Sequence, residues 1–397
     1  MSVFIAIVGL AFLILIHEAG HFFTARAVGM RPRRFYLGFP PALVKTQRNG
    51  IEYGIGAIPL GGYVKIPGMH RPAPGDVDVY FGRALQQAPE LVGPVQRLKR
   101  ALAEEDEGGA QAALAELKST GSGNETFERG LQEVGDGLAP DAYWRQRTWK
   151  RVAVIVAGPA TNLVLAVILF TCLFLVGGGK ATTTVDQVLP GRPAAAVGLR
   201  PGDEVVGVNG EAVTAREIST KISGSQGKPL TVTVRRGNDL LTLGPVRPEQ
   251  IEGAYRLGFV LRGEELGFGA SAWQSVKLTG IVTREIGKSL GRLVHGEGRK
   301  DISSPVGISQ TLAQSSRQGA EDYLWVLGLI SLSLALMNLL PLLPLDGGHI
   351  AFSLVEGVRG RAVAREVYER VSAVGIVLVV LLFFIGISND VNRLGGG

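Results

Sequence analysis

The chain has 397 residues, 46% of them hydrophobic and only 19% charged, with a formal net charge of +6. Soluble enzymes of this size run nearer a quarter charged, so the composition excludes a wholly soluble enzyme and calls for several membrane spans plus at least one soluble part. The basic excess has no aromatic-interleaved patch beside it, which argues against nucleic acid as a partner, and the single cysteine, Cys172, excludes an internal disulfide or a CxxC metal site.

In chain order, the first apolar run (Val3–Ala25) is long enough to span, and no small-residue cleavage site follows it, so it is expected to stay as a membrane helix rather than leave as a signal peptide. Its second half carries His17-Glu18-Ala19-Gly20-His21. Residues 51–66 alternate around glycines and predict two short strands about a Gly-rich turn, within a membrane-associated hairpin region at 29–70. The stretch 71–148 reads as a helical insert, with one or two amphipathic helices over 85–135 ending in a loop at Ser119 to Gly123.

A second span is predicted within 149–179, closed by Gly177-Gly178-Gly179. Residues 180–263 alternate short β-rich runs with turns: a helix ending at Gly198, a turn at Pro201-Gly202, and a strand closing on Asn209-Gly210. A linker or amphipathic region (264–321), a third span (322–350), a short link (351–370), a fourth span (371–388) and a tail (389–397) complete the order.

Orientation follows from the span flanks. Arg26, Arg31, Arg33 and Arg34 follow span one, Arg145, Arg147, Lys150 and Arg151 precede span two, and Arg359, Arg361, Arg365 and Arg370 fill the link between spans three and four. Positive residues near span ends stay cytoplasmic. Both termini and residues 180–322 are therefore expected outside, and 71–148 inside.

The chemistry is expected at the HExxH motif. On a helix, i and i+4 share a face, so His17 and His21 can aim ring nitrogens at one ion, while Glu18 is placed to take a proton from a water that the ion activates. A chance motif is disfavoured by where it sits, because an ionisable residue at mid-bilayer costs on the order of 2.5–3.5 kcal/mol. Metal binding, worth on the order of 10 kcal/mol in small zinc peptides, is large enough to offset that cost. Zn²⁺ is the ion these ligand types suggest.

Catalytic zinc takes three protein ligands and keeps one position open. The favoured third ligand is Asp346, where Pro341 and Pro344 break the third span and Gly347-Gly348 let backbone approach. His349 is the competitor, and an interfacial helix cap is the structural alternative. Asn338 and Asn162 also lie in apolar runs; each can serve an oxyanion or substrate backbone, or make an interhelical hydrogen bond. His70 and His295 read as solvated surface histidines, and Cys172 as a small buried hydrophobe.

The His-Glu-Ala-Gly-His run, Gly158-Pro159-Ala160-Thr161-Asn162 and the NxxPxxxLDGG stretch from Asn338 to Gly348 together resemble the site-2 protease family of intramembrane zinc metalloproteases. Gly61-Gly62-Tyr63-Val64-Lys65 and a domain between spans two and three fit its bacterial PDZ-containing, RseP/RasP-like branch. The resemblance implies a polytopic α-helical membrane protein of about four transmembrane helices, with a membrane-associated β-hairpin and one inserted PDZ-like domain around Ala194–Gly210. It implies zinc held by His17, His21 and Asp346, and Glu18 as general base. It further implies single-span membrane protein substrates, such as anti-sigma factors or remnant signal peptides, in a bacterial inner membrane, and a PDZ-like domain that filters substrates by size or binds a peptide. The insert at 71–141 has no counterpart in that pattern.

A substrate helix has its backbone hydrogen bonds closed and must be unwound before attack. The hairpin's edge, with Gly54, Gly56, Gly61 and Gly62 permitting close approach, is expected to pair with the extended substrate by β-addition. The rival readings are a catalytically silent membrane scaffold, a peripheral zincin with an N-terminal anchor, and a metal transporter. The position of the motif inside the apolar run counts against the zincin, and a transporter would need no general-base glutamate.

Overall fold

The computed structural model describes residues 2–120, 125–177, 179, 181–251, 254–264, 266–295, 297–299, 302–363 and 365–395. The loop expected at Ser119 to Gly123 and the tail at 389–397 therefore lie partly outside the described residues. By contacts the chain divides into two units: Met1–Ala166 with Val282–Gln318 and Val326–Gly397, and Val167–Ile281 with Gly319–Trp325.

In the first unit, α1 (Ser2–Ala27) runs unbroken through the HExxH motif. It leads into two long strands, β1 (Arg34–Arg48) and β2 (Ile51–Lys65), which form an antiparallel pair. Asn49 (φ 53°) and Gly50 (φ 76°) make the turn between them, the primed geometry that matches strand twist. This corrects the expected hairpin. Its first strand is 34–48, and the turn sits on Asn49-Gly50, ahead of the Gly-rich stretch where it is expected from the sequence.

The pairing is doubled, because Tyr36 stands opposite both Gly54 and Tyr63, and Leu37 opposite both Ile55 and Gly62. The first part of β1 thus lies between the two halves of β2. Phe22 of α1 stacks edge-on against Phe35 at 5.1 Å and seats the sheet on the helix.

The insert has four helices where one or two were expected: α2 (Pro74–Gln87), α3 (Val92–Ala103), α4 (Glu107–Thr120) and α5 (Glu125–Leu138). They enclose their own core, in which Phe81 and Phe127 meet at 5.2 Å among Leu91, Leu98, Leu117 and Leu131. A core of that kind needs apolar faces on every helix; α2, α3 and α5 show them clearly and only the Ala/Gly-rich α4 shows a weak one.

Helix α6 (Thr148–Gly177) is the second long apolar helix. In the second unit, β3 (Ala181–Val188), α7 (Pro193–Ala196), β4 (Glu204–Val208), β5 (Glu211–Ala212), α8 (Ala215–Gly224), β6 (Leu230–Arg236), β7 (Asp239–Val246), β8 (Glu249–Ile251), β9 (Ala254–Arg256) and β10 (Phe259–Gly263) follow. The main sheet has the order β10-β3-β4-β6-β7, with β5 paired to β4. Its inward residues Val185, Val205, Val232 and Val234 pack with Ile218 and Ile222 of α8. Thr214 and Glu217 start α8 by a reciprocal capping box.

Helices α9 (Phe268–Val294) and α10 (Pro305–Gln318) occupy the region read as a linker. Helix α11 (Ala320–Asn338) stops where the prolines begin. The chain is non-helical from 339 to 345, and α12 (Asp346–Arg359) restarts on the aspartate and ends at Gly360 in the left-handed region (φ 66°). Most of the expected link at 351–370 is therefore helix. The last helix, α13, runs Arg365–Gly395.

Among the described residues, four helices are long and apolar enough to cross a membrane: α1, α6, α11 and residues Glu366–Asn392 of α13. The expectation of a membrane protein with about four spans and added β-sheet holds.

Candidate metal centre

The site forms where α1, α6 and the start of α12 meet. Small residues let the first two helices touch: a Cβ on Gly20 would lie 2.5 Å from the Ala157 carbonyl and 2.7 Å from Thr161 Oγ1. Thr161 Oγ1 donates to the Gly158 carbonyl at 2.8 Å. Ser331 of α11 donates to the Asn162 carbonyl at 2.8 Å, which ties that helix to α6. Arg151 of α6 meets Glu356 of α12 at 2.5 Å, and Tyr143 shares a 3.0 Å hydrogen bond with Ser353. These contacts fix the helix whose first residue is Asp346.

His17 Nε2 and His21 Nε2 lie 3.1 Å and 3.3 Å from Asp346 Oδ2, and 3.3 Å from each other. The lone pairs converge for a physical reason. His21 Nδ1 is 2.8 Å from the Val154 carbonyl, which can only accept, so Nδ1 carries the proton and Nε2 offers its lone pair. Asp346 Oδ2 is buried and makes no hydrogen bond among the described residues. Three electron-rich atoms facing one point, one of them an orphaned buried carboxylate oxygen, fit a cation at that point.

The back of His17 is held as well. Its Nδ1 lies 3.4 Å from the amide of Asn162, a fully buried residue whose Oδ1 makes no hydrogen bond among the described residues. Turning that amide over gives Oδ1 the His17 Nδ1 proton and frees Nε2 for a ligand role. Gly158 leaves the space the imidazoles fill: a Cβ there would overlap His21 Nε2 and come within 2.9 Å of His17 Nε2.

Glu18 packs against Gly62 of β2, where a Cβ would strike its Cγ and lie 2.9 Å from its Oε1. Of the other glycines, Gly54 and Gly56 are approached by β1 itself, at Tyr36 and Val44 and at Gly38 and Phe39, and Gly61 by the Phe39 ring. The close approach that these three permit is made within the hairpin. Asn338 is the half-buried last residue of α11. His349 is not in the cluster and shares a 2.8 Å hydrogen bond with Tyr368. His70 is exposed with its ring 4.3 Å from that of Tyr368, and His295 is exposed just past the end of α9, where its Nδ1 lies 2.8 Å from the Gly291 carbonyl. Cys172 is half-buried.

Gly158, Gly20, Thr161, Ser331 and the Val154 carbonyl shape the site, although their residue types alone do not announce it. A carbonyl has no sequence signal, but Gly20 and Gly158, small residues in otherwise bulky apolar helices, could have been read as a helix crossing.

The profile of peptidase family M50 matches residues 5–382. The chain belongs to peptidase family M50. It is 31% identical over 412 aligned positions to the zinc metalloprotease RasP of Geobacillus kaustophilus, covering 96% of this chain and 95% of the relative. It is 29% identical over 407 positions to the regulator of sigma-W protease RasP of Bacillus subtilis, covering 96% of each. The metalloprotease expected from the sequence, and the family resemblance behind it, hold for this M50 chain.

Proposed function

We propose that the chain is a zinc-dependent endopeptidase that cuts single-span membrane proteins within their membrane segments, with His17, His21 and Asp346 as the zinc ligands and Glu18 as general base. The observation that carries this is the convergence of two imidazoles on the apolar helix α1 with an orphaned carboxylate at the start of α12. Zinc, when bound, supplies a Lewis acid that brings a coordinated water's pKa to about 7.

The chain's own residues do the rest. Val154 and Asn162 hold the two imidazoles in the tautomers that leave Nε2 free. Glu18 takes the proton of the attacking water and returns it to the leaving amine. Asn162 stands on the far side of His17 from the converging atoms, which favours a positioning role over contact with an oxyanion. Asn338, at the mouth of the helix break, keeps the role of substrate or oxyanion donor.

The second half of β2 offers an edge beside Glu18, and an extended substrate pairs there. The unit at 180–263 is a PDZ-like domain that screens substrates outside the membrane by size or binds a peptide end. The arginine-rich flanks place both termini outside and 71–148 in the cytoplasm. Anti-sigma factors and remnant signal peptides are the substrate classes proposed.

The test is Glu18→Gln in the full chain with tagged single-span reporters. Cleavage should fall by roughly 10²–10⁴-fold while zinc content stays at the wild-type level. Wild-type protein loaded with zinc and unable to cut any reporter would instead support a silent scaffold.

A further inference from the structure

We infer that the cavity between β2 and the helical insert is a substrate subsite, which receives an uncharged side chain of the extended substrate on the cytoplasmic side of the cleaved bond. This rests on the protease reading and on pairing of the substrate with β2. The strand that touches Glu18 at Gly62 continues directly into Tyr63–Ile66, and those four residues form one wall of a cavity of about 250 Å³. The other walls are the loop at Met69–Pro72 and the insert, through Tyr80 of α2 and Val134 of α5. A water needs on the order of 10–15 Å³ on this measure, so the cavity has room for a large side chain.

Strand geometry leaves one edge of this segment turned away from β1, on the side of Glu18, while its residues line the cavity. The Lys65 carbonyl accepts from the Arg33 amide at 2.7 Å, so Lys65 turns its backbone groups toward β1. By alternation, Val64 and Ile66 turn theirs away from β1, where the Val64 amide donates to the Glu18 carboxylate. From Gly62 to Ile66 a strand covers about 13 Å, which brings the substrate residue roughly four positions from the cleaved bond to the cavity.

The insert is fixed to this strand. Lys65 is buried between Glu133 at 2.7 Å and Asp136 at 3.1 Å, and Arg33 joins Asp136 to Asp141. The charges on the walls are engaged within the protein: Lys65 with Glu133, Arg71 with Glu105, and Asp76 with the Ala73 amide. Besides these paired charges, what the cavity presents to a guest is the strand and the surfaces of Tyr63, Met69, His70, Pro72 and Tyr80. That chemistry suits a neutral apolar side chain of leucine to phenylalanine size, and disfavours a charged one.

The experiment uses the full chain in lipid nanodiscs and a tagged single-span reporter with a Gly-Pro-weakened Leu/Ala membrane segment. Its cleaved bond is mapped by mass spectrometry, and the residues three to five positions to the cytoplasmic side are varied among Gly, Leu and Trp. Tyr80→Ala widens the cavity and should raise the Trp-to-Leu cleavage ratio roughly tenfold. Met69→Trp fills it and should lower cleavage of the Leu reporter relative to the Gly reporter by a similar factor. Val79→Ala, on the same helix but 70% exposed, should leave both ratios as in the wild type.

Ratios between reporters are independent of how much protein is folded. If both cavity variants keep wild-type ratios, the subsite is refuted. A wild-type protein that holds zinc and cuts no reporter fails at the earlier step, the protease reading, and the two failures are told apart by that control.

Discussion

Gly158 is where the metal centre is most sensitive to a single atom. A methyl group there overlaps the end of His21, and an imidazole can swing aside without disturbing the helix backbone. The cost therefore falls on the ligand geometry and not on the fold. Gly158→Ala should express and span the membrane normally yet purify with markedly less zinc, measured as metal per chain. Asn162→Ala removes the partner that fixes the His17 tautomer, and zinc affinity should fall by roughly 10–100-fold in chelator competition.

At this scale the sequence spoke clearly only for groups whose type is costly in lipid. His17, Glu18, His21 and Asp346 stand out in apolar runs, whereas the Val154 carbonyl and the space at Gly158 become visible only once α6 is laid against α1. His349 shows the limit of composition. It is as plausible a ligand type as Asp346, and only the helix restart, which sends it toward Tyr368, separates the two.

Among the elements, the broken third span was legible because Pro341 and Pro344 can donate no backbone hydrogen bond, and the structure stops α11 at Asn338 and restarts at Asp346. The hairpin was misplaced because glycines at 54–62 drew the turn toward them, while Asn49-Gly50 is the pair that adopts positive φ. In the insert only α4 is an alanine-rich run with a weak apolar stripe; α2, α3 and α5 each carry a clear apolar face, and short turns separate the helices within what the sequence presents as one continuous stretch.

In the β-rich unit the turn at Pro201-Gly202 leads to Asp203, whose side chain is 2% exposed and is gripped by Arg236 through two hydrogen bonds of 2.7 and 2.8 Å and by the Arg200 amide at 2.8 Å. The Arg236 guanidinium holds the Asp203 carboxyl below the usual carboxylate range. A folded-state pKa below the unfolded value adds stability that is present above the ordinary value of about 3.9 and is lost as pH falls through the folded one. Asp203→Asn should destabilise this unit at neutral pH, by less than the loss of a fully buried ion pair because the Arg236 side chain is 30% exposed and keeps its hydration. Hydrogen exchange of β4 and β6 in the full chain would read the loss, and the gap between variant and wild type should close in strong acid.

At the scale of the whole molecule, helices some three hundred residues apart in sequence must share one ion inside the bilayer for the proposed chemistry to run. Composition foretold the spans, and the arginine flanks supply the proposed topology. What joins α1 to α12 is not written in either stretch alone. It depends on α6, which packs on α1 through Gly20 and on α12 through Arg151 and Glu356. Zinc K-edge absorption spectroscopy of the purified full chain tests this most directly. It should show two imidazole nitrogens at about 2.0–2.1 Å and a carboxylate oxygen at about 2.0–2.2 Å, with Asp346→Ala losing the oxygen and most of the metal. A full zinc complement with an unchanged coordination shell in Asp346→Ala would contradict the account.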